Sequence, residues 1–276
     1  MKALHISVEA SLKKLRTDYI DILYLHWWDY NTSVEEVMNG LHNLVVQGKV
    51  LYLVRFASVP TPQLQLITNM QGVSDTPAWI VSKANLYARM MGKTPFVIYQ
   101  GAWSILMRDF EREILPMALS EGLALAPWNV LAGGKIRSDA EEQKRRETGE
   151  HGRKFFGPWE RNDNERKVCN ALEKVAQEVG VKNITSVAIA YVMQKAPYVF
   201  PIIGGRKVEH FHANLEALDI TLTPEQIAYL EGIVPFDKGF PQSLIGDGSE
   251  YTIWHNTAGH FDKWPRAEPI RPAMTK

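Results

Sequence analysis

The chain has one cysteine, Cys169, among 276 residues. That permits no internal disulfide and fits a reducing, cytoplasmic setting. It has no excess of either charge: Lys+Arg and Asp+Glu both number 31, so nothing favours nucleic acid or an anionic membrane as a partner. No apolar run approaches the roughly 20 residues of a membrane span, and the first ten residues lack the apolar core of a signal peptide. There is no GxGxxG, Walker A, HExxH or CxxC pattern. His210 and His212 stand two apart in a helical stretch and diverge, so no metal site is expected. What is present is ordinary for a globular protein, 45% apolar and 22% charged. The length suits two domains, or one α/β barrel of about 200–250 residues.

Short apolar runs alternate with amphipathic stretches. Residues 19–25 (YIDILYL), 50–53 (VLYL), 96–99 (FVIY), 123–126 (LALA) and 199–203 (VFPII) read as strands. Helical patterns cover 34–47, 76–87, 109–120, 164–179 and 184–195. Thr32 and Ser33 offer N-caps with Glu35 and Glu36 in reach. Gly48, Gly122 and Gly180 stand where a helix-ending glycine belongs. Strand–helix alternation with near-continuous apolar strands implies an α/β protein whose parallel sheet is covered by helices. Residues 141–154 (EEQKRRETGEHGRK) read as a solvated loop or helix.

Two irregularities stand out. Residues 1–16 already read as a helix, so the chain opens inside a βα pattern. Five strands are counted where a parallel barrel needs eight, which leaves unpaired edges. Residues 54–71 (VRFASVPTPQLQLITNMQ) interrupt what reads as one strand, 49–53 continuing into 72–75. This segment carries Pro60 and Pro62, has no helical period, and is long for a βα connection. Val-Arg can be written GTAAGA, Thr-Asn ACTAAC and Gln CAG, which are splice-donor-, branch-point- and acceptor-like. Eighteen residues, hence 54 nucleotides, make a short in-frame intron. The segment reads as a translated intron or as a genuine surface insertion.

In parallel α/β folds, sites form at the carboxyl ends of strands. Those ends carry His26 with Trp27, Trp28 and Asp29; Ser74 and Asp75; Gln100; Trp128 and Asn129 before Leu131-Ala132-Gly133-Gly134-Lys135; and Gly204-Gly205-Arg206-Lys207. His26 suits acid–base work or donation to a carbonyl, or a structural role. Ser74, Asp75 and Gln100 combine donors and acceptors, as a carboxamide requires, or else cap the following helices. Trp128 suits stacking on a flat ring, or core packing. The Gly-Gly-Arg-Lys run opens a helix over 208–218 and suits a phosphate, or a plain turn. Cys169, inside a helix, suits a small apolar filler.

The runs DYIDILYLHWWD, LVVQGKVLYL, GVSDTPAWIVSKANLYAR, YQGAWSILMRDFEREILPMA, LAPWNVLAGGK and PIIGGRKVEHFHANLEAL resemble the aldo-keto reductases. The branch resembled is the fungal aryl-alcohol dehydrogenase and norsolorinic-acid-reductase-like one. The resemblance covers most of the chain outside 54–71 and part of the tail. It implies a (β/α)8 TIM barrel, here incomplete and lacking about the first three βα units. Residues 1–236 form the partial barrel and 237–276 the tail. The cofactor implied is NADP(H), and the substrate a small carbonyl or alcohol. The resemblance assigns His26 to the substrate carbonyl and Ser74, Asp75 and Gln100 to the nicotinamide carboxamide. Trp128 matches the ring that stacks on the nicotinamide. Asn129, Val130, Leu131, Ala132, Gly133, Gly134 and Lys135 match the loop over the pyrophosphate. Gly205, Arg206, Lys207, His210 and Asn214 match the segment around the adenosine 2′-phosphate, with His210 standing where many relatives carry Arg.

The family's tetrad is Asp, Tyr, Lys and His, and the first three lie upstream of the His. This chain begins after them. An unperturbed Tyr is a weak acid at pH 7, and the Lys and Asp are what lower its pKa. The resemblance therefore implies an aldehyde or ketone reductase, in the setting of secondary metabolism, and little activity from the chain as written. The alternative is a non-catalytic relative, a pseudoenzyme or binding subunit.

Overall fold

A computed structural model describes residues 2–51, 71–150, 157–248, 250–260, 262 and 265–272. It divides into two compact units, Met1–Gln100 with Met117–Ala124, and Gly101–Pro116 with Leu125–Lys276.

The first unit runs α1 (Lys2–Leu15), β1 (Leu23–Leu25), α2 (Val34–Val46), β2 (Gln71–Ser74), α3 (Ala78–Met90) and β3 (Phe96–Gln100). β1 pairs with β2 and β2 with β3, all parallel. Parallel neighbours require a crossover, and α3 supplies the one between β2 and β3. Val8, Leu12, Leu44, Val45 and Val50 form one buried cluster, with Leu4, Ile20 and Leu23 packed on it. The Ser33 hydroxyl accepts the Glu36 N–H at 3.1 Å and caps α2, as its position in the sequence implies. Gly48 ends α2 at φ +71°, a left-handed conformation that costs glycine little. Asn85 acts as a surrogate strand partner: it accepts the Phe96 N–H at 2.8 Å and donates to the Phe96 carbonyl at 3.1 Å. The strand expected over 19–25 is shorter, a ladder at Leu23–Leu25 preceded by an Ile20–Val50 bridge. The helix expected from residue 76 begins at Ala78, because Thr76 is already committed. Its N–H bonds the Tyr99 hydroxyl at 3.1 Å, and its own hydroxyl donates to the Ser74 carbonyl at 2.9 Å.

α4 (Ile114–Glu121) and β4 (Ala124–Leu125) follow. The helix expected over 109–120 is thus a 3-10 turn, Asp109–Glu111, and α4. The second unit continues with α5 (Asp139–Thr148), α6 (Asp163–Glu178), α7 (Ile184–Met193), α8 (Val208–Leu215), α9 (Pro224–Gly232), α10 (Gln242–Ile245) and α11 (Ile253–Ala258). Leu125 bridges Val199 in parallel. Phe200 and Ile202 then donate to the carbonyls of Leu125 and Pro127 at 2.7 and 2.8 Å, so residues 199–203 run alongside as the apolar pattern implies. α7 is buried on nearly every side, which is why its sequence is apolar all round. Reciprocal caps start α5 (Ser138 with Glu141), α6 (Asn162 with Glu165) and α9 (Thr223 with Gln226). Beyond residue 236 the chain bonds back: Arg112 donates to the Asp237 carbonyl and Gln242 to the Arg112 carbonyl, both at 2.9 Å.

The mixed-charge stretch over 141–154 is, in its first part, the solvated helix that its composition implies: α5 occupies it and ends at Gly149 in the left-handed conformation. Glu142 is the exception, buried within that helix. Residues 151–154 lie outside the described residues.

Candidate functional site

In the first unit, three adjacent parallel strands end in polar residues on the same edge. β1 ends at Leu25, so His26 follows it. β2 ends in Ser74, and β3 in Gln100, its register partner. The Asp75 N–H donates to the Gln100 carbonyl at 3.1 Å, and the Ser74 hydroxyl donates to the Asp75 carboxylate at 2.9 Å. Asp75 holds φ +45°, a left-handed turn that Asp tolerates better than most residues. The helix-capping role weighed for these side chains is not taken up: Pro77 precedes α3 and no side-chain cap bond is made there. His26 is exposed, with its ring stacked on Trp27 at 5.2 Å between centroids. Asp29 accepts from the Asn31 and Thr32 N–H groups and the Thr32 hydroxyl. The Thr32 hydroxyl contributes most to holding its carboxyl below the usual range.

In the second unit, Trp128 sits in a backbone ladder. It accepts the Trp103 N–H at 3.1 Å and donates to the Gly101 carbonyl at 3.0 Å. The chain then turns tightly. Asn129, Ala132, Gly133 and Gly134 all have positive φ (60, 48, 63 and 92°). The N–H groups of Ala132, Gly134 and Lys135 bond back to Asn129, Leu131 and Ala132 at 2.8–3.1 Å. Val130 is buried beneath the turn, whereas Leu131, Gly133 and Lys135 reach solvent to differing degrees. The Lys135 ammonium is 2.6 Å from the Glu165 carboxylate.

Gly204, Gly205, Arg206 and Lys207 are exposed and lead into α8. A Cβ on Gly205 would lie 2.8 Å from the His210 Cβ, so this position requires glycine for close approach. Gly205, Lys207 and Asn214 line a largely apolar cavity of about 520 Å3 together with Met193, Phe211 and Leu218. Arg206 pairs with Glu150 at 2.8 Å, so one of the two cations expected at this turn is already matched by a carboxylate.

Sequence reasoning missed a buried cluster next to the 129–135 turn. Glu142 accepts from Arg137 (2.8 Å) and Arg161 (2.7 Å) on one oxygen, and from Arg166 (2.7 Å) and Arg146 (3.1 Å) on the other. Arg137 also donates to the carbonyls of Gly134 and Trp159, each at 2.7 Å. Burial alone would raise the Glu142 carboxyl, but the bonds from Arg161 and Arg137 outweigh it and bring it down to about 2. A second cluster gathers Glu111 with Arg108 (2.7 Å), Lys195 (3.6 Å) and the Trp103 indole N–H (3.2 Å). Cys169 is buried as expected, its thiol pushed up by burial and 3.4 Å from the Lys135 carbonyl.

Among the described residues, no group of three or more His, Cys, Asp or Glu is placed to hold a metal, and no helix is long and apolar enough to cross a membrane.

An α/β chain with a parallel sheet and polar strand ends falls in a large class; comparison with known proteins narrows it. The family model described as "Aldo/keto reductase family" matches residues 2–59 and 66–235. The chain belongs to that family. It is 64% identical over 274 residues to the aryl-alcohol dehydrogenase [NADP(+)] of Phanerodontia chrysosporium, covering 99% of this chain and 66% of that protein. It is 56% identical over 251 residues to a putative aryl-alcohol dehydrogenase, AAD10, of Saccharomyces cerevisiae, covering 91% and 81%. It is 48% identical over 281 residues to norsolorinic acid reductase A of Aspergillus parasiticus, covering 98% and 65%. The chain thus spans about two thirds of the first and third of these relatives.

Proposed function

We propose that this chain carries the NADP(H)-binding part and the carbonyl-orienting histidine of a reductase for aldehydes or ketones, aromatic ones in particular. On this reading its strands belong to a (β/α)8 barrel, and the reaction is a tailoring step in secondary metabolism. The observation that carries it is the meeting of His26, Ser74–Asp75 and Gln100 on one edge of three adjacent parallel strands, in a chain of this family.

The donor set fits the cofactor. A nicotinamide carboxamide offers one acceptor and two donor hydrogens, and Ser74, Asp75 and Gln100 offer both kinds of partner. The Gly133 turn leaves open space where a side chain would stand, as close passage of a pyrophosphate demands. By the resemblance, Trp128 would take the nicotinamide ring, and Lys207 and His210 would take the 2′-phosphate. When bound, the cofactor supplies the hydride. His26 would orient the substrate carbonyl through a ring N–H. Of the family's tetrad, His26 is the member that the resemblance matches within these 276 residues. The buried thiol of Cys169 fits a reducing, cytoplasmic setting.

The test is titration of the purified chain with NADPH, followed by tryptophan-to-nicotinamide energy transfer, and then assay with an aryl aldehyde. Saturable binding supports the reading. No binding to NADPH or NADH rejects it, and turnover of the aldehyde supports the reductase class.

A further inference from the structure

We infer that residues 54–71 are a translated intron, and that the working chain joins Leu53 to Gly72 in one unbroken strand. Ile20 bridges Val50 in parallel: its N–H bonds the Lys49 carbonyl at 2.9 Å, and Leu51 donates to the Ile20 carbonyl at 2.8 Å. Partners in a parallel ladder advance one for one, so Leu23, three residues on, is due residue 53. It pairs instead with Gln71, and Tyr24 and Leu25 pair with Gly72 and Val73. The offset between the strands goes from 30 (50 less 20) to 48 (71 less 23), a change of 18, the length of the interruption. Counted along the first strand, β1 and β2 pair in the register that the Ile20–Val50 bridge sets once those 18 residues are left out. Gln71 therefore fills the place that register assigns to Leu53.

Gln71 is the wrong residue for that place. It is 1% exposed, and among the described residues neither its side-chain nitrogen nor its oxygen has a hydrogen-bond partner. Buried amides are nearly always paired, and its ladder partners, Leu23 and Phe96, are apolar. The pairing with β3 is irregular between Gln71 and Gly72. A leucine at Gln71's position removes the orphaned amide. Three versions should be purified: the 276-residue chain, the chain with 54–71 deleted, and Gln71→Leu in the full chain. The deletion is expected to raise the unfolding midpoint by several degrees, and Gln71→Leu by about 2–4 °C per kcal/mol recovered. A lowered midpoint, or a deletion that fails to fold where the full chain folds, overturns the inference. Sequencing the transcripts tests it whether or not the proteins fold. A majority lacking the 54 nucleotides is expected; a majority retaining them overturns it.

A separate observation assigns a role to Glu142, and this second inference rests on the cofactor reading above. The Gly134 carbonyl is held by Arg137, which is held in turn by Glu142. Glu142 and Arg137 are each 2% exposed, so both are shielded from water. Around it four guanidiniums (Arg137, Arg146, Arg161, Arg166) face two carboxylates (Glu142, Asp139), which leaves net positive charge behind the turn proposed for the pyrophosphate. We propose Glu142 as a positioning residue for that turn.

Glu111→Gln is the control, because its cluster is buried alike but makes no bond to the turn. Glu142→Gln is expected to raise the NADPH dissociation constant at least tenfold and to speed amide exchange over 131–135. Arg137→Lys, which keeps the charge, should do the same in part, and Glu111→Gln should do neither. Equal effects from Glu111→Gln, or unchanged exchange in Glu142→Gln, overturn the assignment. A wild-type chain that ignores NADPH overturns the cofactor reading, while the exchange measurement still tests whether Glu142 holds the turn.

Discussion

Tyr24 and Gly72 lie opposite each other in the first two strands, so close that a Cβ on Gly72 would stand 2.5 Å from two carbons of the Tyr24 ring. Neither residue can change alone without cost. Overpacking a strand core costs typically 1–3 kcal/mol. Gly72→Ala is therefore expected to lose that much in denaturant unfolding, and Tyr24→Leu in the same chain should restore most of it. A Gly72→Ala chain as stable as the parent would contradict the packing described.

Stability should fall in acid through Glu142. Its folded pKa, about 2, lies below its ordinary value of 4.5. The unfolded chain therefore takes up the proton first as pH falls, and the stabilisation present above about pH 4.5 is lost progressively toward pH 2. The midpoint of thermal unfolding should drop across that window in the parent. In Glu142→Gln it should start lower at pH 7 and show a shallower decline. Parallel curves for the two chains would show that other carboxylates carry the acid sensitivity.

Cys169 should be inert while the chain is folded. Burial raises its pKa, and the thiolate rather than the thiol is the reactive form. Ellman's reagent is expected to find no fast-reacting thiol in native buffer and one thiol per chain in denaturant. A thiol that reacts at once in native buffer would mean that α6 opens readily.

Much of this architecture is legible in the residues. The N-cap at Ser33, the glycine stops and the strand ends that carry His26, Ser74 and Gln100 follow from patterns of period and turn chemistry. Helix limits were harder where tertiary bonds intervene, as at Thr76, whose N–H goes to Tyr99 and not to a helical turn. The Glu142 cluster was hidden for a different reason. Arg137, Arg146, Arg161 and Arg166 converge on it from α5, α6 and the segments beside them, and a charged run shows no sign of which member will be buried. The interruption at 54–71 was visible as a break in pattern, but only the ladder offset fixes its length against the strand.

The two groups of residues proposed to hold the cofactor can be tested apart by choice of ligand. Asp75 accepts from Ser74 and bonds Gln100 through its backbone, all at the nicotinamide end of the reading. Asp75→Asn keeps the tolerance for its left-handed φ but removes the charge and one acceptor. It is expected to weaken NADPH by roughly 1–2 kcal/mol, about what a lost hydrogen bond costs, and to leave 2′,5′-ADP binding unchanged, since that ligand has no nicotinamide. Lys207→Ala should weaken both ligands, and the loss should shrink at high salt, because an exposed cation acts on a phosphate through a screened interaction. Calorimetry with the two ligands reads both effects. If Asp75→Asn weakened 2′,5′-ADP as much as NADPH, Asp75 would be supporting the fold of the strand end and not the carboxamide, and the assignment of Ser74, Asp75 and Gln100 would fall with it.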